Sequence, residues 1–247
     1  MGNIKYSILM PYYRRDCLHN TLISFNTYYK DRTDYEVIII EDFKNTKDIV
    51  EHNKLLDIIK KFRDYNIKIV HLNSNIETCY NGSAHYNQGA KSASGDILII
   101  TNPECVHVTD ILGYLDEQTG SDYNVFACLS AIFNGNINDM QEFKYRPGIW
   151  YQHTRNNRQL HFCSAISKIN YNKICGFDEF YADGIGYDDD DFLRTIKTNL
   201  IAIRSVDNYY VVHIEHNRDH LSCNYLCQRN LQYYIKKWNK HPHYRGR

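Results

Sequence analysis

The feature that most constrains the fold is the regular alternation of apolar runs and helical patterns over the first hundred residues. Short apolar runs indicate strands, and apolar residues three or four positions apart indicate helices. The predicted strands are residues 6–10, 37–40, 67–72 and 97–101. The predicted helices between them are 16–29, 46–65 and 82–93. This rhythm predicts βαβ units, and hence a Rossmann-like half built on a parallel sheet.

Two of these segments also predict how they pack in the fold. In the second predicted helix, apolar residues recur at i, i+3, i+4 and i+7, in Leu55, Ile58, Ile59 and Phe62. They share one face, which we expect to pack against the sheet. Asn45 or Thr46 is the expected N-cap. The fourth strand is an unbroken apolar run, which is typical of a parallel strand covered on both faces.

Open sheets of this kind bind ligands outside the carboxyl ends of their strands. The residues that follow the predicted strands are therefore the first candidates for chemistry. They are residues 11–15, Glu41 with Asp42, and residues 102–104.

Composition excludes some classes of function. The chain has 247 residues, of which 43% are hydrophobic, enough for one larger domain. It carries 29 basic and 29 acidic residues, so no basic field is present to hold nucleic acid. The eight cysteines include no C-x-x-C pair, which argues against a zinc site.

No signal peptide precedes the first predicted strand, and no apolar run approaches the roughly 20 residues that cross a bilayer. We therefore expect a cytoplasmic protein with reduced thiols and no transmembrane segment.

The second half is less regular. A strand is predicted near 123–133 and a helix near 223–238. The polar stretch 134–158 between them holds Trp150, which is a candidate for stacking on an acceptor sugar. His153 and His161 are candidates for acceptor contacts only.

Five motifs stand in order along residues 5–220: SILMPYYRR, VIIIEDF, GDILIITNPE, GFDEF and GYDDDDF. Together they resemble the GT-A glycosyltransferases, especially those of family 2. The resemblance implies a single α/β domain with a mixed central sheet flanked by helices. Its nucleotide-sugar-binding half would be about 1–104 and its acceptor or catalytic half about 105–221. A C-terminal helix and tail would follow at 222–247.

The resemblance also implies a donor site for a nucleotide diphosphate sugar, a UDP-sugar in particular. Asp42 matches the family residue that accepts from the uracil ring. The other donor-binding positions are Pro11, Tyr12, Tyr13, Arg15, Asn87 and Asn102. Relatives often carry an arginine before the position of Asn87, where this chain has Tyr86.

In the family, an Asp-x-Asp after the fourth strand binds Mn²⁺ or Mg²⁺. Here it reads Asn102-Pro103-Glu104, so Glu104 is the expected carboxylate ligand and Asn102 retains only an oxygen. The segment from His216 to Asp219 resembles a metal-site segment of β-1,4-galactosyltransferases, which makes His216 the preferred third ligand. His213 competes with it for this role.

The run Asp188 to Asp191 is by itself typical of a helix start, where the helix dipole tolerates negative charge. Within the resemblance, Asp189 matches the catalytic base. Neighbouring Asp188 and Asp190 are expected to raise the pKa of Asp189 by like-charge repulsion. Asp188 and Gly186 are candidates for sugar or acceptor binding, and Asp191 is expected to cap the helix or orient neighbours.

Three hypotheses follow for the function. The first is an inverting sugar transfer to a hydroxyl of a glycan or another acceptor, with Asp189 as base. The second is a retaining transfer like that of the polypeptide N-acetylgalactosaminyltransferases, which share a similar acidic segment. The third is a catalytically silent module that binds a sugar or nucleotide, because Asn102 replaces a metal-site aspartate.

Overall fold

A computed structural model of the chain describes residues 3–12, 17–43, 48–73, 79, 81–119, 125–134, 149–151, 161–214, 224–240 and 242. For 119, 125–134 and 149–151 it describes the backbone alone. The strands in these ranges are β1 (Tyr6–Tyr12), β2 (Tyr35–Glu41), β3 (Ile67–His71), β4 (Ile97–Thr101), β5 (Cys105–His107), β6 (Val125–Asn134), β7 (Ile149–Tyr151), β8 (Cys163–Ser167) and β9 (Ala202–Ile214). The helices are α1 (Leu18–Tyr29), α2 (Ile49–Ile59), α3 (Ser83–Ser92), α4 (Ile111–Thr119), α5 (Lys168–Lys173), α6 (Asp188–Thr198) and α7 (Asn224–Trp238).

The described strands form one mixed sheet in the order β3-β2-β1-β4-β8-β6-β9-β5, with β7 beside β6. The first four strands of this order are parallel, as the βαβ rhythm predicts. β8 then pairs antiparallel with both β4 and β6. The predicted α/β fold with a mixed central sheet is confirmed.

Alternating residues of the strands build two cores. In β1, Ile8 and Met10 pack with α1, whereas Leu9 lies on the opposite face with α3. Side chains of successive strand residues point to opposite faces, so one apolar run supplies both layers. β4 is buried along its whole length for this reason. However, it is parallel only to β1, because its other neighbour β8 runs antiparallel.

Most of the predicted boundaries differ from the structure by a few residues. β1 extends to Tyr12, because Pro11 and Tyr12 lie in register with Ile40 and Glu41 of β2. α2 begins only at Ile49 and passes into a short 3-10 helix over Lys60–Phe62. Asp48 therefore precedes α2, in place of the predicted Asn45 or Thr46, which lie outside the described residues.

The apolar stripe of α2 packs as predicted. Leu55 is fully buried, and Ile58, Ile59 and Phe62 contact the same core from partly exposed positions. In the second half, β6 matches the predicted strand near 123–133. β5 and α4 were not predicted. β5 is only three residues long and gives no readable periodicity. None of the helices in the described ranges has the length and apolar composition to cross a membrane.

Candidate active site at the carboxyl edge of the sheet

The carboxyl ends of β1, β2 and β4 meet at one edge of the sheet. Pro11 and Tyr12 end β1, and Asp42 directly follows β2. Asn102 and Glu104 follow β4, which is the other neighbour of β1. The structure therefore brings these predicted donor-binding and metal-binding residues to one edge. Tyr13 and Arg15 lie outside the described residues.

Tyr86 of α3 lies at the centre of this edge. Its hydroxyl donates to the side-chain oxygen of Asn102 at 2.9 Å, and its ring stacks on Phe177 at 5.1 Å. Burial raises the pKa of Tyr86 well above its ordinary value of 10, and the nearby carboxylates of Asp189 and Glu104 raise it further. The phenol is therefore neutral. The position of the arginine of relatives thus holds an uncharged donor.

Glu104 lies beside His213. β5 pairs antiparallel with β9 and sets Cys105 opposite His213, while the Ile214 amide donates to the Glu104 carbonyl at 2.8 Å. This register brings His213 Nε2 to 3.7 Å from Glu104 Oε1, and both side chains are buried. His216 lies outside the described residues.

A carboxylate oxygen and an imidazole nitrogen fit a divalent ion such as Mn²⁺, which accepts both ligand types. Their separation of 3.7 Å is longer than a hydrogen bond, yet short enough for both atoms to bind one ion. Asn102 is less available. Its oxygen accepts from Tyr86, and its amide is 3.5 Å from the His161 carbonyl.

Asp189 lies 3.9 Å, measured from Oδ1, from Nε2 of His161. His161 is buried, and its Nδ1 lies 2.9 Å from Ser164 Oγ. Burial lowers the pKa of His161 to about 3, although Asp190 opposes this shift. The imidazole is therefore neutral near pH 7 and offers Asp189 a polar neighbour without a positive charge.

The sequence did not predict that His161 lies beside Asp189. His161 precedes β8, whose Cys163 pairs with Thr101 at the end of β4. Only this antiparallel pairing brings His161 to the carboxyl edge, and no local motif signals it.

The acidic run begins α6, as its local pattern predicts, and all four aspartates stand in its first turn. Gly186 and Tyr187 precede it with φ of 70° and 67°. Such angles cost little at glycine and are uncommon elsewhere. The buried amide of Asn230 holds this turn by donating to the carbonyls of Gly186 at 2.9 Å and Tyr181 at 3.0 Å.

Asp191 has a different environment from Asp189. It is buried, and its carboxylate accepts from Trp238 Nε1 at 2.7 Å, Lys237 Nζ at 2.9 Å and the Tyr181 hydroxyl at 3.1 Å. Burial raises the pKa of Asp191, and Lys237 counteracts this. Asp191 therefore holds α7 against α6 and orients its neighbours, whereas the N-cap of α6 is Tyr187, which forms no side-chain cap hydrogen bond.

Asp191→Ala is expected to lower the free energy of unfolding by about 3 kcal/mol, because it leaves Trp238 without its buried acceptor and Lys237 with Asp178 alone. Asp190→Ala is the matched control on the same turn, with an expected loss within about 0.5 kcal/mol. Urea unfolding followed by circular dichroism and tryptophan fluorescence measures both. Equal stability of the two variants would contradict the anchoring role.

Asn87 is fully engaged with the GFDEF segment. Its oxygen accepts from the Tyr171 hydroxyl at 2.7 Å and the Phe177 amide at 2.9 Å. Its amide donates to the Phe177 carbonyl and to Glu179, both at 2.9 Å. These contacts show that Asn87 supports the segment that precedes α6. Donor binding by Asn87 stays a prediction.

Trp150 lies in β7, in register with Ile132 of β6. Its side chain is outside the described part of the chain, so sugar stacking by Trp150 stays a prediction.

A mixed α/β sheet of this order, with candidate ligands at its carboxyl edge, defines the GT-A class of glycosyltransferase fold. The family model of glycosyl transferase family 2 matches residues 7–177. The chain belongs to this family.

Solved structures of low sequence identity share the fold. A mannosyltransferase from Pyrobaculum calidifontis in complex with GDP-Man and Mn²⁺ is 11% identical, with a TM-score of 0.63 over 98% of this chain and 66% of its own. GalNAc-T7 with UDP, GalNAc and Mn²⁺ is 14% identical, with a TM-score of 0.63 over 94% of this chain and 48% of its own. S. aureus TarS residues 1–349 is 18% identical, with a TM-score of 0.54 over 85% of this chain and 58% of its own.

The chain thus spans from about half to about two thirds of the length of these structures. No curated protein sequence matches it significantly.

Proposed function

We propose that this chain transfers a sugar from a nucleotide diphosphate donor to an acceptor hydroxyl, with inversion at the anomeric carbon. The observation that carries the proposal is that two carboxylates from separate elements, Glu104 after β4 and Asp189 at the start of α6, each lie next to a buried imidazole. One carboxylate is paired with His213 and the other is next to His161. In the proposal, Glu104 binds the metal ion and Asp189 accepts the proton.

The donor nucleotide is proposed to bind across the ends of β1 and β2. Asp42 would accept from the base, and Pro11, Tyr12 and Tyr13 would line the nucleoside. Arg15, or alternatively Arg14 or Arg218, would offset diphosphate charge, because a guanidinium group can bind two phosphate oxygens at once. The complexes named above contain UDP or GDP-Man. Of these nucleotides we propose UDP, on the match of Asp42 to the family residue that contacts uracil.

The metal ligands are proposed to be Glu104 and His213, with His216 and Asn102 as further candidates. The buried carboxylate and imidazole fit the Mn²⁺ or Mg²⁺ ion that the family resemblance implies. An ion bound there would stabilise the negative charge that develops on the diphosphate leaving group. Among the two histidines, the contact with Glu104 favours His213.

Asp189 is proposed as the general base. About a quarter of its side chain is exposed, so an acceptor hydroxyl has access to it. As the acceptor oxygen bonds to the anomeric carbon, Asp189 takes the hydroxyl proton and the nucleotide diphosphate leaves with the electron pair of the broken bond. Asp188 and Gly186 are proposed to line the acceptor side, with Trp150 as a stacking candidate.

Two other functions stay open as alternatives. A retaining transfer has the support of structural likeness to GalNAc-T7, whereas a silent binding module has only the Asn102 replacement in its favour. The anomeric configuration of the product, determined by NMR, separates the first alternative from inversion.

A panel of UDP-, GDP- and TDP-sugars, assayed for transfer and hydrolysis with Mn²⁺ and with excess EDTA, tests the proposal. Turnover of a UDP-sugar that EDTA abolishes is the expected result. Binding of nucleotide with no turnover of any donor would favour the silent module instead.

A further inference from the structure

A second cluster of metal-binding side chains lies at the outer end of β2 and β3. Glu41 ends β2, His71 ends β3 and His52 stands in the first turns of α2. Within the described residues, their ligand atoms all lie within 4.8 Å of one another. Glu104 follows β4, which lies on the far side of β1, two strand spacings or roughly 10 Å from β2. The cluster is therefore separate from the pair of Glu104 and His213, although Glu41 directly precedes Asp42 of the proposed donor site.

Both imidazoles approach the same oxygen of the Glu41 carboxylate. Oε2 of Glu41 is 2.7 Å from Nδ1 of His52 and 3.6 Å from Nε2 of His71. Ligand atoms of a single tetrahedral zinc ion, with bonds of about 2.0–2.2 Å, lie about 3.3–3.6 Å apart. The separation from His71 agrees with this range, the separation from His52 is shorter, and the two imidazole nitrogens lie within 4.8 Å of each other. Adjustment of the side chains by an ångström or so, roughly the size of these differences, would let all three atoms bind one ion.

The surroundings favour a bound cation. Glu41 is buried, and a buried carboxylate is stabilised by hydrogen bonds, by pairing or by coordination of a metal ion. The two imidazoles beside it are neutral nitrogen ligands of the kind that bind such an ion together with a carboxylate. The centroid of the Phe43 ring lies 5.0 Å from that of His52 and 5.4 Å from that of His71, so Phe43 packs against both imidazoles.

We propose that Glu41, His52 and His71 bind a borderline transition metal ion, with Zn²⁺ as the preferred ion. Two imidazoles and one carboxylate are typical of zinc, whereas Mg²⁺ and Ca²⁺ prefer sites made of oxygen atoms alone. The side chain of His71 is 52% exposed, so the open side of the site faces water and the ion can enter. The ion would tie α2 to the ends of β2 and β3, next to Asp42.

The test uses Co²⁺ as a coloured substitute for Zn²⁺, followed by displacement with Zn²⁺. The full chain carries His213→Gln, which weakens the other candidate site. We expect visible Co²⁺ absorption that Zn²⁺ removes. His71→Gln in this background should weaken Co²⁺ binding at least about 10- to 100-fold, because a direct ligand matters no less than its supporting partners. His52→Gln should do the same.

Circular dichroism and thermal melting in EDTA show whether each variant folds, and the half-exposed His71 is the position least sensitive to replacement. His19→Gln, a histidine of α1 outside the cluster, is the matched control and should bind Co²⁺ like the parent. Equal Co²⁺ affinity of folded His71→Gln and the parent would overturn the proposal, as would absence of any Co²⁺ binding by the parent. Neither outcome depends on sugar transfer, so the proposed function is tested separately.

Discussion

Asp189→Asn is expected to lower kcat about 100- to 10,000-fold, the range that a positioned general base contributes. Asparagine keeps the size and an oxygen of the side chain, but it does not accept the acceptor proton. Asp189 lies in the first turn of α6, whereas Asp42 lies at the end of β2. Nucleotide binding should therefore be unchanged, and the loss should appear in kcat with little change in donor KM.

Asp190→Asn is the matched control for this experiment. It removes one carboxylate from the same helical turn, so it reproduces the change in local charge without removing the proposed base. We expect it to retain most of the transfer activity. Steady-state kinetics of both variants with the donor identified from the panel give the comparison. Full activity of Asp189→Asn would exclude Asp189 as the base and direct attention to Asp188.

Glu104→Gln is expected to abolish the part of nucleotide-induced stabilisation that depends on Mn²⁺. With ligand at 100 times its dissociation constant, binding stabilises a folded protein by about 2.7 kcal/mol. In the native chain, UDP and Mn²⁺ together should raise Tm more than UDP alone. In Glu104→Gln that additional rise should vanish, because the variant lacks the charged carboxylate beside His213. Transfer activity should fall with it.

Glu117→Gln, on the exposed surface of α4, is the control for the change in charge. Its Mn²⁺-dependent shift should equal that of the native chain. A shift that survives in Glu104→Gln would place the ion elsewhere. The cluster of Glu41, His52 and His71 is the first place to look, and repeating the measurement with His71→Gln identifies it.

The two metal experiments distinguish the two sites by ion as well as by residue. Glu104 is paired with one described imidazole, whereas Glu41 is paired with two. More nitrogen ligands favour zinc over manganese, in accord with the order of metal affinities. Mn²⁺ activation should therefore respond to Glu104→Gln, and Co²⁺ absorption should respond to His71→Gln.

Local patterns in the sequence determined much of the fold. β4 has the predicted bounds of 97–101, and the acidic run begins α6 as its charge pattern indicated. Strand alternation and helix starts are set by residues close in sequence, so local periodicity predicts them. The rule that ligands bind beyond the carboxyl ends of strands then selected Asp42 and Glu104.

Only the tertiary structure decided which side chains meet at those ends. His213 lies beside Glu104 because β9 pairs with β5 across more than a hundred residues. His216, which the sequence favoured, lies outside the described residues and stays a prediction. His161 lies beside Asp189 because β8 pairs antiparallel with β4. Asp191 instead accepts a hydrogen bond from Trp238 of α7. The cluster of Glu41, His52 and His71 joins three elements with no common motif. Such contacts depend on the register and packing of distant segments, which local periodicity does not encode.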